Sequence, residues 1–164
     1  MLSREMNGIL VARRPGGFSL IELMITLLVV AILASIAVPS YRQYVLRSHR
    51  VEAKATLLNV ATEQEKFYLQ RNRYADDNEL VAAKADGGLG FSRDTERGWY
   101  RLTLDPDDAG NPQSWTIEAT ANGTQQDDKR CRFFSLDSTG VRRAGPNLDG
   151  SGTTDATSED CWGK

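Results

Sequence analysis

From Phe18 to Val38 the chain is apolar at almost every position, with Glu22 the one charge inside the run. At about 21 residues it matches the ~20 that carry a helix across the hydrocarbon core of a bilayer. Arg13 and Arg14 precede the run and Arg42 follows it. Because Lys and Arg near the ends set orientation, a cytoplasmic N-terminus is expected, with the chain from about Tyr41 on the far side.

No glycine or proline occurs from Tyr41 to Arg73, and apolar residues recur at helical spacing. One row is Val51, Ala55, Leu58, Ala61 and Tyr68; beside it lies a second, Ala53, Leu57, Val60 and Phe67. Together they make an apolar surface wider than one sheet needs. Two arrangements fit: the whole stripe buried in the domain, or one face on a sheet and the other on neighbouring subunits. A helix from Phe18 to near Arg73 would measure roughly 80 Å at 1.5 Å per residue, a rod with a head at one end.

The pattern then breaks. Between Tyr74 and Gly98, Asp76, Asp77, Gly87, Gly88 and Gly90 interrupt short apolar pieces, which predicts a long connecting loop over 74–98. From Trp99 the period becomes two: Tyr100, Leu102 and Leu104 alternate with polar neighbours, and after a turn-rich segment so do Trp115, Ile117 and Ala119. A third strand is expected near 131–136 and a fourth around 141–144, with Gly140 suited to the positive-φ position of the hairpin between them. These strands form a small antiparallel sheet able to pack on the apolar face of the helix, an α+β architecture.

Chain length, 164 residues, leaves room for one small folded domain besides the apolar run. Charge is uneven: residues 41–73 hold seven Lys/Arg against three acids, and residues 74–164 hold ten against seventeen. An acidic head disfavours nucleic acid as a general partner. The local exception is Lys129, Arg130, Arg132, Arg142 and Arg143, near one another in sequence, for which solvated strand and turn charges are the favoured reading and DNA contact the lesser one.

Three features set the apolar run apart from a plain anchor. Glu22 is costly inside a membrane unless it is paired or near the edge, and it lies four residues after Phe18. Gly16-Gly17 is a helix-disfavouring, protease-accessible junction directly before the run. Pro39, where the run ends, removes a helical hydrogen bond, so a bend or melted turn is expected. An ordinary secretory signal, with a small-residue site at Ser35-Ile36-Ala37, fits less well because the run is too long.

Gly17-Phe18-Ser19-Leu20-Ile21-Glu22-Leu23, the following apolar run and Pro39 resemble the prepilin signature of type IV pilins and of type II secretion pseudopilins. The resemblance implies cleavage by a prepilin peptidase after Gly17, N-methylation of the new terminus at Phe18, and stacking of mature subunits into a helical filament. Glu22 would neutralise a neighbouring subunit's terminal amine, in keeping with the expense of an unpaired buried carboxylate. The expected division is a cleaved leader at 1–17, a transmembrane and filament-core half-helix at 18–40, an amphipathic half at 41–73, the loop at 74–98, which in a pilin would face neighbours, and a sheet with disulfide region at 99–164.

The two cysteines, Cys131 and Cys161, lie in the exported part, where a disulfide is the natural expectation over two free thiols or a metal site short of ligands. It would tie down residues 145–160, which are rich in Gly, Ser, Thr and Asp and offer little to bury. The segments Trp115-Thr-Ile-Glu-Ala-Thr-Ala, Asp128-Lys-Arg-Cys131, Asp137-Ser-Thr-Gly140 and Asp160-Cys161-Trp162 are similar to the tail of PilE-type minor pilins. That tail leans toward a pilus and away from a secretion pseudopilin.

Other chemistry finds little support. Asp149-Gly-Ser151-Gly-Thr153-Thr-Asp155 spaces oxygens as calcium loops do but lacks the glycine and terminal acid of such a loop, so no metal is expected. Gly87-Gly88-Leu89-Gly90 lacks the context of a phosphate cradle, and Asn122-Gly-Thr124 is a sequon by pattern alone. His49, the single histidine, reads as a surface residue. No catalytic motif appears, so neither an enzyme nor a cofactor is expected. The sequence thus predicts a type IV pilin fold and a pilin subunit, major or minor. It would reside in the inner membrane with its C-terminal domain periplasmic, and then in an extracellular pilus. Its partners would be other pilin subunits, the prepilin peptidase, the inner-membrane assembly machinery and the membrane. The alternatives are a tip or surface module recognising DNA or a host surface, and a type II secretion pseudopilin.

Overall fold

The computed structural model describes residues 17–107 and 112–163; residues 1–16, 108–111 and 164 lie outside it, and with them all but the last residue of the leader expected at 1–17. Helix α1, Leu20–Arg71, is continuous through Pro39, so no melted turn occurs there. A proline forfeits one backbone bond, and the helix continues on both sides of it. The helix ends where Asn72 turns left-handed (φ 55°) and donates its N–H to the Tyr68 carbonyl at 2.8 Å.

Two compact units divide at Pro39. In the first, none of the most apolar helical window is buried, and Phe18 is 85% exposed. The helix is long and apolar enough to cross a membrane.

The second unit, from Ser40 on, holds the core. Strands β1 (Tyr100–Pro106), β2 (Trp115–Ala121), β3 (Phe133–Asp137) and β4 (Arg142–Gly145) form an antiparallel meander in the order β1-β2-β3-β4. Register aligns Leu104, Ile117 and Leu136 in one inward row and Leu102, Ala119, Phe134 and Ala144 in the next. All are buried, as the strand alternation predicts. On α1, Ala53, Leu57, Val60 and Phe67 are buried in the same core. The first apolar row of the helix fares differently: Val51, Ala55 and Leu58 are exposed. Burial of the whole stripe, one of the two arrangements open in the sequence, does not occur: one row faces the sheet and most of the other stays outside the core.

Two helices occupy segments that read as irregular. Within 74–98, α2 (Asp77–Val81) is opened by a reciprocal capping box: Asp76 accepts the N–H of Glu79, and Glu79 accepts the N–H of Asp76. Its Asp77 receives the Leu104 N–H and a guanidinium bond from Arg93, docking the segment on β1. A Cβ at Gly88 would lie 2.3 Å from the Ala82 carbonyl oxygen, so that close approach requires glycine. The tail likewise orders itself as α3 (Asp155–Trp162), capped by Thr154 and Thr157. Ser158 Oγ accepts the Ala144 N–H, which ties α3 to β4.

Candidate functional site

Gly17 and Phe18 precede α1, and Glu22 lies in its first turn, where its backbone N–H donates to Ser19 Oγ at 3.1 Å. The hydroxyl satisfies one of the orphan donors of the helix start. Phe18 and Glu22 are both exposed along the apolar surface.

In the second unit the Cys131–Cys161 disulfide is formed across 30 positions, as the sequence predicts. Both sulfurs are buried. Cys131 and Cys161 group with Asp160 as metal-capable side chains, but a disulfide sulfur is no longer a thiolate ligand. The calcium-like spacing resolves into ordinary structure: Asp149 accepts the Ser151 N–H, and Asp155 begins α3.

Between disulfide and helix lies a buried polar network that sequence reasoning missed. Arg50 donates Nε and Nη2 to the two oxygens of Asp128 at 2.7 and 2.9 Å. Gln125 donates Nε2 to the Leu46 carbonyl and to the Tyr100 hydroxyl, which in turn donates to the Cys131 carbonyl. Burial pushes the Tyr100 phenol far above its usual range, and the Asp128 charge adds to the rise. His49 is half-buried here rather than a plain surface residue. It stacks on Trp99 with ring centres 4.1 Å apart, its Nδ1 2.8 Å from Gln125 Oε1. Lys54 donates to the Trp162 carbonyl at the end of α3, and desolvation together with Arg50 lowers its pKa. Helix α1, the short 3-10 turn Gly123–Asp127 and the disulfide are thereby one hydrogen-bonded unit.

The basic residues do not form one patch. Lys129 and Arg130 line a cleft of about 400 Å³ on one side of α3, with Ala156, Thr157 and Asp160. Arg142 lies on the other side, its guanidinium 5.3 Å from the Trp162 ring centre. Acids interleave: Arg130 is 3.5 Å from Asp160, and Arg143 is 3.9 Å from Asp137.

This arrangement of apolar helix, meander and disulfide can be set beside known proteins. The prokaryotic N-terminal methylation motif matches residues 12–38. The family of type IV minor pilin ComP, DNA uptake sequence receptor, matches residues 39–135, more than half of the chain. The chain belongs to the type IV pilin family. Among curated pilins, the type IV major pilin protein PilA of Myxococcus xanthus is 43% identical over 75 residues, covering 45% of this chain and 34% of that one. The type IV major fimbrial protein FimA of Dichelobacter nodosus is 31% identical over 119 residues, 68% of this chain and 70% of its own. Fimbrial protein EcpC of Eikenella corrodens is 39% identical, with 43% and 48% covered. Against the first of these pilins, the chain spans only about a third of the relative's length. A type IV pilin of Shewanella oneidensis, solved at high resolution, aligns with a TM-score of 0.42 and 22% identity over 59% of this chain and 89% of that one.

Proposed function

We propose that this protein is a structural subunit of a type IV pilus. The observation that carries the reading is the join between its two parts: a methylation motif running into an apolar helix with no buried face, directly continuous with a pilin-family domain. An apolar surface of that extent requires a lipid or protein environment. A bilayer would supply it before assembly and neighbouring helices would supply it afterwards. In this account a prepilin peptidase cuts between Gly17 and Phe18, the Phe18 amine is methylated, and Glu22 pairs with a neighbouring subunit's amine so that its charge is compensated in the filament core. Pro39 marks the point at which the helix bends on assembly. The subunit waits in the inner membrane with its head on the periplasmic side until the assembly machinery draws it into the filament. Deleting the gene should remove or shorten surface filaments in the sheared fraction. Wild type should restore them, and Glu22→Ala should not.

A second reading has its own support. The family matched over residues 39–135 is named for a DNA uptake sequence receptor, and Lys129, exposed beside Arg130, has no ion-pair partner among the described residues. On this reading the subunit also contacts DNA phosphates near α3. Full-length protein should then bind duplex DNA with an affinity that falls steeply with salt, by a slope that Lys129→Ala lowers by about one. Binding without salt dependence, or unchanged by the substitution, would leave only the structural role.

A further inference from the structure

The outward face of α1 in the second unit carries an apolar seam that the head does not use. Tyr44, Val51 and Leu58 are 71%, 60% and 41% exposed and recur every seven residues. Between them lie the small, exposed Ser48 and Ala55. At about 100° per residue this seam sits roughly opposite the buried row Ala53, Leu57 and Val60, so the fold leaves it uncovered. Its 4-3-4-3 spacing, bulky residues alternating with small ones, is that of a seam between two helices. Beyond Leu58 the β3–β4 turn closes in, for Leu58 and Thr62 share a groove with Ser138 and Gly140. The open length is therefore 44–58, two heptads.

The flanking charges say what covers it. Arg47 is exposed and has no ion-pair partner among the described residues, and Glu52 lies five positions on, one of its oxygens accepting the Arg97 N–H. In a parallel pair of helices joined along this seam, a residue in the place of Arg47 faces the one in the place of Glu52 on the other helix, and the charges are opposite. We propose that this seam pairs two copies of the chain in parallel, with Ala55 against Ala55 and Arg47 of each copy against Glu52 of the other. Parallel alignment is what two copies anchored through the same end in one bilayer share, so the inference rests on the membrane-subunit reading. The pairing is isologous, the same patch meeting itself on both copies, so that Arg47 of one meets Glu52 of the other and the reverse. Subunits stacked along a helical filament meet heterologously, so this contact belongs to the membrane pool.

The test uses the full-length chain in membranes. Cys131 and Cys161 occupy each other, so Ala55→Cys introduces the one free thiol. Mild oxidation should convert Ala55→Cys protein to a dimer of twice the subunit mass, whereas Thr103→Cys, exposed on the sheet's outer face, should stay monomeric. Adding Arg47→Glu should cut the dimer about fivefold, and combining it with Glu52→Lys should restore it, as two weak exposed ion pairs allow. The proposal is overturned if Ala55→Cys cross-links no better than Thr103→Cys, if the charge swap fails to rescue, or if the product has the mass of a conjugate with another protein. Fractionation in the same experiment reads the anchor separately. If the chain is absent from membranes the membrane-subunit reading fails, and cross-linking in the soluble fraction still decides the seam.

Discussion

Arg50 and Asp128, 78 positions apart, meet in a two-pronged ion pair whose side chains are 10% and 4% exposed. Each charge compensates the other where water does not. Removing one leaves the other stranded, which costs about 3–5 kcal/mol. Arg50→Ala or Asp128→Ala should lower the unfolding free energy of the second unit, read by urea titration, by an amount of that order. Replacing both with apolar residues of similar size should recover much of it.

The two apolar rows of α1 make opposite predictions at adjacent positions. Leu57 is fully buried and Leu58 is 41% exposed. Leu57→Ala should therefore cost about 2–5 kcal/mol, while Leu58→Ala stays below about 1 kcal/mol. Denaturant titration of the two variants reads the difference. Equal losses would mean that the outward row is buried after all.

The disulfide holds α3 against the cleft beside Lys129 and Arg130. For a 30-residue separation, chain entropy assigns the bridge about 3–4 kcal/mol. Cys131→Ser with Cys161→Ser should lose roughly that stability, and limited proteolysis should cut first in 146–162.

Acid should act first on the segment around α2. The Arg73 bond holds the Glu79 carboxyl below its usual range, and the Arg93 bond does the same for Asp77. A carboxylate depressed in the folded state adds stability that is complete above its unfolded pKa and is lost as pH falls through the lower folded value. Both contributions are therefore present at neutral pH and vanish below the ordinary carboxylate range. Amide protection factors should fall near Leu80 and Leu89 at acid pH, and Glu79→Gln should remove part of that dependence.

The parts that followed local periodicity were legible in advance: the apolar run, the strand alternation at Tyr100, Leu102 and Leu104, and the cysteine pairing. Helix α2 left a signal in Asp76 and Glu79, three residues apart, that the surrounding glycines obscured. Helix α3 has almost no apolar stripe; Cys161 and the Ser158 bond to Ala144 hold it, and both depend on tertiary neighbours. The network of Arg50, Gln125 and Asp128 had no sequence signal, because polar residues on a helix read as surface until their distant partners are known. For the same reason the second face of α1 stayed open between burial and subunit contact until the sheet showed which row it covers.

On the proposed function the chain is processed at Gly17 and assembles through the helix that follows. Intact mass and N-terminal sequencing of protein from sheared filaments and from membranes, in wild type and Glu22→Ala, address it directly. The expected species is a mature chain beginning at N-methyl-Phe18, two hydrogens lighter for the disulfide, abundant in filaments and depleted from them by the substitution. A chain that began at Val38, or that kept its leader and never left the membrane, would overturn the filament reading.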